Sequence, residues 1–320
     1  MYTKLGRSGV DVSRLCLGTM NFGPRTAEQD AHAIMDEAHS AGINYFDTAN
    51  QYGAPFGQTE EIIGHWFAQG GGRRERTVLA TKVYGKMGSW PNEGGLSALH
   101  IRQALDASLK RLRTDHIDIY QFHHVDRATP WEEIWQAIQV AIDQGKILYV
   151  GSSNFAAWHI ATAQAAAKER HLLGIVSEQS LYNLATRDIE LEVIPAVQAY
   201  GLALVPWSPL AGGLLGGASA LAPGNSRRSS PRAQDRELAQ SERLGRFHDT
   251  AARLGHAPAS VALAWLLHQP AVTAPIIGPR TVEQLHAALK ALDVELRAED
   301  LDELDEIFPG KAPAPEHYAW

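Results

Sequence analysis

Short apolar runs alternate with longer amphipathic segments along nearly the whole chain. Eight runs, at residues 14–17, 44–47, 78–83, 117–123, 147–152, 175–179, 202–207 and 273–277, have the length of a buried parallel strand. Helical patterns lie between and after them, at 27–41, 59–67, 100–112, 130–144, 156–170, 188–200 and 282–292. Thr129-Pro130 offers an N-cap and a first-turn proline, with Glu132 and Glu133 at the positive end of the helix dipole. Gly42, Gly145 and Gly201 each follow an amphipathic segment where a left-handed residue ends a helix. A strict βα alternation implies parallel strands with crossover helices. Eight units predict an α/β fold, a closed (β/α)8 TIM barrel rather than an open doubly wound sheet.

Three segments stand outside that rhythm. Residues 1–12 precede the first barrel strand and predict a hairpin across the barrel bottom. Residues 212–240, rich in Gly, Ser, Ala, Pro and Arg, read as a long loop after strand seven, either functional or a solvated insertion. A tail beyond residue 292 carries one short acidic helix (298–307) and ends His317-Tyr318-Ala319-Trp320. No linker divides the chain, so residues 1–320 read as one barrel domain.

Composition narrows the function classes. The 320-residue chain carries 29 basic and 36 acidic residues, a net charge of −7 that argues against a dedicated nucleic-acid binder. The single cysteine, Cys16, excludes an intramolecular disulfide and a four-thiolate zinc site. There is no N-terminal apolar h-region, no N-x-S/T acceptor and no apolar run of about 18 residues. The expectation is a cytoplasmic enzyme without a membrane partner.

In such barrels the reacting groups sit at the C-terminal ends of the strands. The second run ends in Asp47, with Tyr52 five residues later; the third ends in Thr81-Lys82, the fourth in Gln121-Phe122-His123-His124. An acid, a phenol, an amine and an imidazole therefore face one mouth. A free tyrosine, with a pKa near ~10, is a poor proton donor at neutral pH. A nearby Lys82 ammonium would lower that value, and Asp47 would hold the lysine charged and oriented. His123 can hydrogen-bond a carbonyl oxygen and help stabilise the alkoxide that forms. The set suits protonation of an oxyanion as hydride reaches carbon, and the hydride must come from a nicotinamide cofactor. The same residue types also allow a second expectation, with His123 and His124 as metal ligands and Asp47 or Asp126 as the acidic candidates.

The same residues carry a family likeness. Leu17-Gly18-Thr19-Met20, Phe46-Asp47-Thr48-Ala49, Tyr52-Gly53, Leu79-Ala80-Thr81-Lys82, Asp118 to His123, Gly151 to Phe155, Trp207-Ser208-Pro209-Leu210 and Ile277-Gly278-Pro279-Arg280 occur in one order. With these segments the chain resembles the NADP-dependent aldo-keto reductases over nearly its full length. The resemblance implies that Tyr52 is the general acid in reduction, tuned by Lys82 and Asp47, and that His123 orients the carbonyl. It implies NADPH (NADP+) as cofactor and a small-molecule carbonyl as substrate. By the same likeness Ser153, Asn154 and Gln179 bind the nicotinamide carboxamide, Trp207 stacks on its ring, and Ser208, Pro209 and Leu210 line the pyrophosphate path. Gly18, Thr19, Met20 and Gly278 belong to the cofactor-side segments, and Arg280 clamps the 2′-phosphate, a role suited to a guanidinium. No G-x-G-x-x-G occurs, so the dinucleotide is not held in a Rossmann fold.

One departure concerns the adenine end. Family members often carry Glu-Gln-x-x-x-Asn after the arginine; here Glu283-Gln284 is followed by Ala288 at the asparagine position. Gln284 is thus either a cofactor contact or a solvent-facing helix residue. A narrower likeness links 66–74 and 92–97 to reductases of nucleotide-linked 4-keto-6-deoxyhexoses. The arginines of 227–236 would then contact a diphosphate. The run Gly70-Gly71-Gly72 lacks a G-K-[ST] ending and reads as a helix-ending linker rather than a phosphate loop. Trp90 and Phe56 are candidates for substrate contact by loop position, and a regulatory subunit that binds NADPH with little turnover is the third functional reading.

Overall fold

A computed structural model describes residues 2–217 and 238–319. An antiparallel hairpin, β1 (Tyr2–Lys4) and β2 (Asp11–Ser13), precedes eight parallel strands. These are β3 (Cys16–Gly18), β4 (Tyr45–Asp47), β5 (Val78–Val83), β6 (Ile117–Phe122), β7 (Ile147–Ser153), β8 (Ile175–Gln179), β9 (Ala203–Leu204) and β10 (Ile276–Ile277), in the order β10-β3-β4-β5-β6-β7-β8-β9. The ring closes between its two ends. Thr273 N donates to Leu204 O at 2.9 Å, Ile276 N to Pro206 O at 2.8 Å, and Leu204 bridges Val272. All eight predicted strands are present, and the architecture is the (β/α)8 barrel that the alternation predicts.

The helices are α1 (Glu28–Ser40), α2 (Gln58–Phe67), α3 (Ala98–Leu112), α4 (Trp131–Asp143), α5 (Ala157–Glu169), α6 (Val193–Tyr200), α7 (Ser241–Arg253), α8 (Pro258–His268), α9 (Val282–Leu289), α10 (Ala298–Ile307) and the short α11 (Glu316–Ala319). The amphipathic helices bury one stripe each; α4 buries Ile134, Trp135, Ile138 and Ala141 and leaves its polar face in water. Gly42, Gly145 and Gly201 follow α1, α4 and α6 with φ of 82°, 71° and 63°, the left-handed termination expected of them. Among the described residues, no helix is long and apolar enough to cross a membrane.

Four local expectations are corrected. Thr129 does not cap α4: its hydroxyl donates to Asp126 Oδ2 at 2.9 Å, and Pro130 takes the cap position. The segment 188–200 is not one helix but a 3₁₀ turn (Asp188–Glu190) followed by α6. Pro195 has no N–H for the Leu191 carbonyl, which accepts from Ala314 N at 2.8 Å instead. The stretch 211–216 forms tight turns about a kink at Gly212 and Gly213, with φ of 71° and 103°, rather than an open loop. Helices α7, α8 and the short α11 add to the predicted set; α8 buries every residue from Ser260 to Leu266, so no polar stripe marks its period. Arg227, Arg228, Arg232 and Arg236 lie outside the described residues.

Two apolar layers follow from strand alternation. Cys16, Tyr45, Ala80, Ile119, Val176, Ala203, Val205 and Ala274 fill the lower barrel, where Leu5 and Val12 of the hairpin segment plug them. Leu17, Phe46, Leu79, Tyr120, Phe122, Val150 and Leu204 point outward to the helices. Between β7 and β8 the register slips: Val150 pairs with Ile175, but Gly151 pairs with Ser177. The extra residue, Val176, is a β-bulge, and from it onward the in/out alternation of β8 is reversed. Gln179 consequently faces the barrel axis and Glu178 faces out.

Candidate active site

Above the apolar plug, the inward positions turn polar and converge on one carboxylate. Asp47 ends β4 and is 2% exposed; Lys82, two residues past Ala80 on β5, is 0% exposed. Lys82 Nζ donates to both Asp47 oxygens at 2.7 Å and to Thr48 O at 2.8 Å. Gln121 Nε2 on β6 and Gln179 Nε2 on β8 donate to Asp47 Oδ1 at 3.1 and 2.8 Å. Thr19, just past β3 on the neighbouring strand, holds the backbone of the same residue, its N and Oγ1 donating to Asp47 O at 3.0 and 2.9 Å. A buried carboxylate thus has a cation and two amides, as its desolvation demands.

Tyr52 stands over this pair. Its loop is folded back by Thr59 N and Gly57 N, both donating to Tyr52 O at 3.3 and 3.1 Å. Lys82 Nζ lies 3.3 Å from Tyr52 Oη and 4.9 Å from the ring centroid. Burial alone would lower the Lys82 pKa, but Asp47 and the tyrosine outweigh it and the net direction is upward, so the group is an ammonium at neutral pH. His123, just past β6, meets Tyr52 edge to face with ring centroids 5.9 Å apart. Burial, then the charges of Lys82 and His124, push the His123 pKa down to about 3. Its ring is therefore neutral over the physiological range, a potential hydrogen-bonding group rather than a cation.

That depression has a stability consequence with a definite sign. Unfolded His123 titrates near its ordinary 6.5 and folded His123 near about 3, so between these values the unfolded chain binds more protons. The contribution is full above 6.5 and is lost as pH falls through the window. Thermal melts should show a shallower acid-side loss of Tm for H123Q than for the wild type; parallel acid limbs would contradict this.

A second group lies beside the first. Asn154 Nδ2 donates to His123 O at 3.2 Å and to Ser153 Oγ at 3.0 Å, while its Oδ1 accepts from Trp207 Nε1 at 3.1 Å. Ser153 Oγ donates to Gln179 O at 2.9 Å. Asn154 and Ser208 both have left-handed backbones, with φ of 59° and 54°. Asn183 Nδ2 anchors Ser208 O at 2.9 Å, which fixes the start of the Ser208–Pro209–Leu210 turn after β9. A third group runs along the ends of β3 and β10. Asn21 Nδ2 donates to Gly278 O at 2.9 Å, Thr26 Oγ1 to Arg280 O at 3.4 Å, and Arg280 N to Gln284 Oε1 at 2.9 Å. Gln284 thus folds back onto the turn that precedes α9. Gly18 has a packing reason of its own: a Cβ there would stand 2.4 Å from Ile276 Cγ2 and block the approach of β10.

The structure therefore brings Asp47, Tyr52, Lys82, His123 and Gln179 together, with Ser153, Asn154 and Trp207 adjoining. Gly18, Thr19, Met20, Gly278, Arg280 and Gln284 belong to the β3 and β10 ends. Met20 is 40% exposed, and Phe56 and Trp90 are exposed at 54% and 78%. His124 turns from His123 to meet Tyr84, ring centroids 5.4 Å apart. Gln121 is the site residue that strand-end reading passes over; its signal is the inward period, two residues before His123 and paired with Lys82 across the sheet.

The aldo/keto reductase family model matches residues 14–308. An oxidoreductase of Bacillus subtilis, YrpG, is 54% identical, the alignment covering 100% of this chain and 99% of that protein. A rice protein named as a probable voltage-gated potassium channel subunit beta is 36% identical over 99% of each chain. Versiconal hemiacetal acetate reductase of Aspergillus parasiticus is 34% identical over 98% of each. With its barrel, its converging strand-end residues and these matches across nearly its entire length, the chain belongs to the aldo/keto reductase family.

Proposed function

We propose that the protein reduces an aldehyde or ketone to an alcohol, with NADPH as hydride donor and Tyr52 as proton donor. The observation that carries this reading is the phenol oxygen 3.3 Å from a fully buried lysine ammonium, itself locked to Asp47. The cofactor, when bound, supplies hydride to the carbonyl carbon. The alkoxide oxygen that results is protonated by Tyr52, and the ammonium stabilises the phenolate left behind. The neutral His123 ring offers the carbonyl oxygen a hydrogen bond that strengthens as charge develops.

The donor set at the mouth fits a dinucleotide. Ser153, Asn154 and Gln179 offer amide and hydroxyl groups of the kind a carboxamide pairs with, and the Trp207 indole is held by Asn154 beside them. Arg280 precedes the N-terminus of α9, where Thr281 accepts from Gln284 N at 3.3 Å, a location suited to phosphate. R280A should raise the KM for NADPH by about 10- to 100-fold and leave that for NADH within a few-fold, the loss expected of charge-assisted hydrogen bonds to a phosphate. Equal effects on both cofactors would remove the arginine from that role.

The test of the reaction is NADPH consumption against nitrobenzaldehyde, methylglyoxal, aldoses and a keto-deoxysugar nucleotide. Turnover of any of them supports the reductase, and the pattern selects the substrate class. Tight NADPH binding with no turnover of any would overturn it in favour of a binding subunit.

A further inference from the structure

Four carboxylates are buried among the described residues, and three have cations: Asp47 has Lys82, Glu60 has Arg111, and Asp300 has Arg253 and Arg297. Glu178, 0% exposed, has none. An uncompensated buried acid is costly, and it persists where its hydrogen bonds hold something in place. Each of its contacts reaches the turn that leaves β7 or the strand ends flanking it. Glu178 Oε1 accepts from Phe155 N at 3.1 Å and from Ser180 Oγ at 2.7 Å, and Oε2 accepts from Ser152 Oγ. Burial pushes this carboxyl up to about 7, with the two hydroxyls and backbone N–H groups pulling the other way.

The held turn is the one that presents Ser153 and Asn154. Asn154 sits at φ 59°, in the left-handed region that asparagine tolerates better than most residues, and its flanking contacts fix which way its side chain leaves the turn. Ser152 before it and Phe155 after it are both tied to Glu178. The Val176 bulge makes this possible: it turns Glu178 to the outer face, beneath the turn, while Gln179 keeps the inner one.

We propose that Glu178 is a positioning residue for dinucleotide binding, clamping the Ser152–Phe155 turn so that Asn154, Ser153 and Trp207 are preorganised for the nicotinamide end. The proposal rests on the reading of Ser153 and Asn154 as cofactor contacts given above. It is tested by titrating NADPH against tryptophan fluorescence, without any carbonyl, for wild type, E178A, E178D and E178Q, alongside thermal melts. E178A removes the clamp, and E178D withdraws it by one methylene while keeping the carboxyl group. E178Q retains an acceptor for the Phe155 N–H and an amide that can donate to Ser152 Oγ.

The Ala and Asp variants should raise the NADPH Kd about tenfold, and Gln should return it to within about threefold of wild type. In turnover, kcat/KM for NADPH should fall by more than kcat. Wild-type Kd in the folded Ala or Asp variant, with only Tm lowered, would overturn the proposal and leave Glu178 a plain structural residue. A Gln variant as weak as Ala would overturn it too, by making charge rather than turn geometry decisive. Absence of NADPH binding by the wild type would instead refute the cofactor reading itself.

Discussion

Tyr52→Phe is expected to lower kcat about 10³-fold while the NADPH Kd changes less than about threefold. The change deletes one oxygen, while the Tyr52 carbonyl keeps the hydrogen bonds from Thr59 N and Gly57 N that fold its loop back, so the backbone of the loop is expected to stay in place. The edge-to-face contact with His123 uses the ring, not the hydroxyl, and survives the substitution. In the proposed mechanism, what is lost is the proton that the alkoxide needs and the anion that the Lys82 ammonium stabilises. Single-turnover measurements with preloaded NADPH place the defect in the chemical step. A variant that turns over at the wild-type rate would reject Tyr52 as donor.

Lys82→Met is expected to be severe in two separable ways. Asp47 is left buried with Gln121 and Gln179 as amide partners and no cation, and breaking a buried pair on one side costs about 3–5 kcal/mol. Tyr52 also loses the neighbouring charge 3.3 Å away, and kcat should fall by more than about 10²-fold. The double variant D47N/K82M separates these effects. It removes both charges, so denaturant melts should return part of the stability lost in K82M, while activity stays lost. If the double variant were less stable than K82M by the full cost of a second independent lesion, Asp47 and Lys82 would not be coupled as their 2.7 Å contacts indicate.

Much of this site is legible without coordinates. Eight short apolar runs separated by amphipathic segments have few compact solutions other than a closed barrel, and barrels carry their chemistry at strand C-terminal ends. Asp47, Lys82 and His123 stand there, and the one-dimensional rule suffices to bring them to one mouth. Composition likewise excludes a disulfide framework, because a chain with Cys16 alone has nothing to pair it with. Periodicity is silent about α8, whose continuous burial from Ser260 to Leu266 leaves no polar stripe to count.

The tertiary structure alone decides the rest, and β8 shows why. In the sequence, Glu178 and Gln179 are neighbours, and alternation from the inward Val176 would send Glu178 to the axis and Gln179 outward. The slip from the Val150–Ile175 pair to the Gly151–Ser177 pair inserts one residue and reverses that assignment. Gln179 can then donate to Asp47, and Glu178 can accept from Phe155 N. A bulge carries no signature in residue type here, because it arises from the register between two strands and the closure of the ring. The sequence by itself determined which elements form and which chemistry reaches the mouth; the pairing of β7 with β8 decided which of two adjacent side chains meets Asp47 and which lies buried behind the turn.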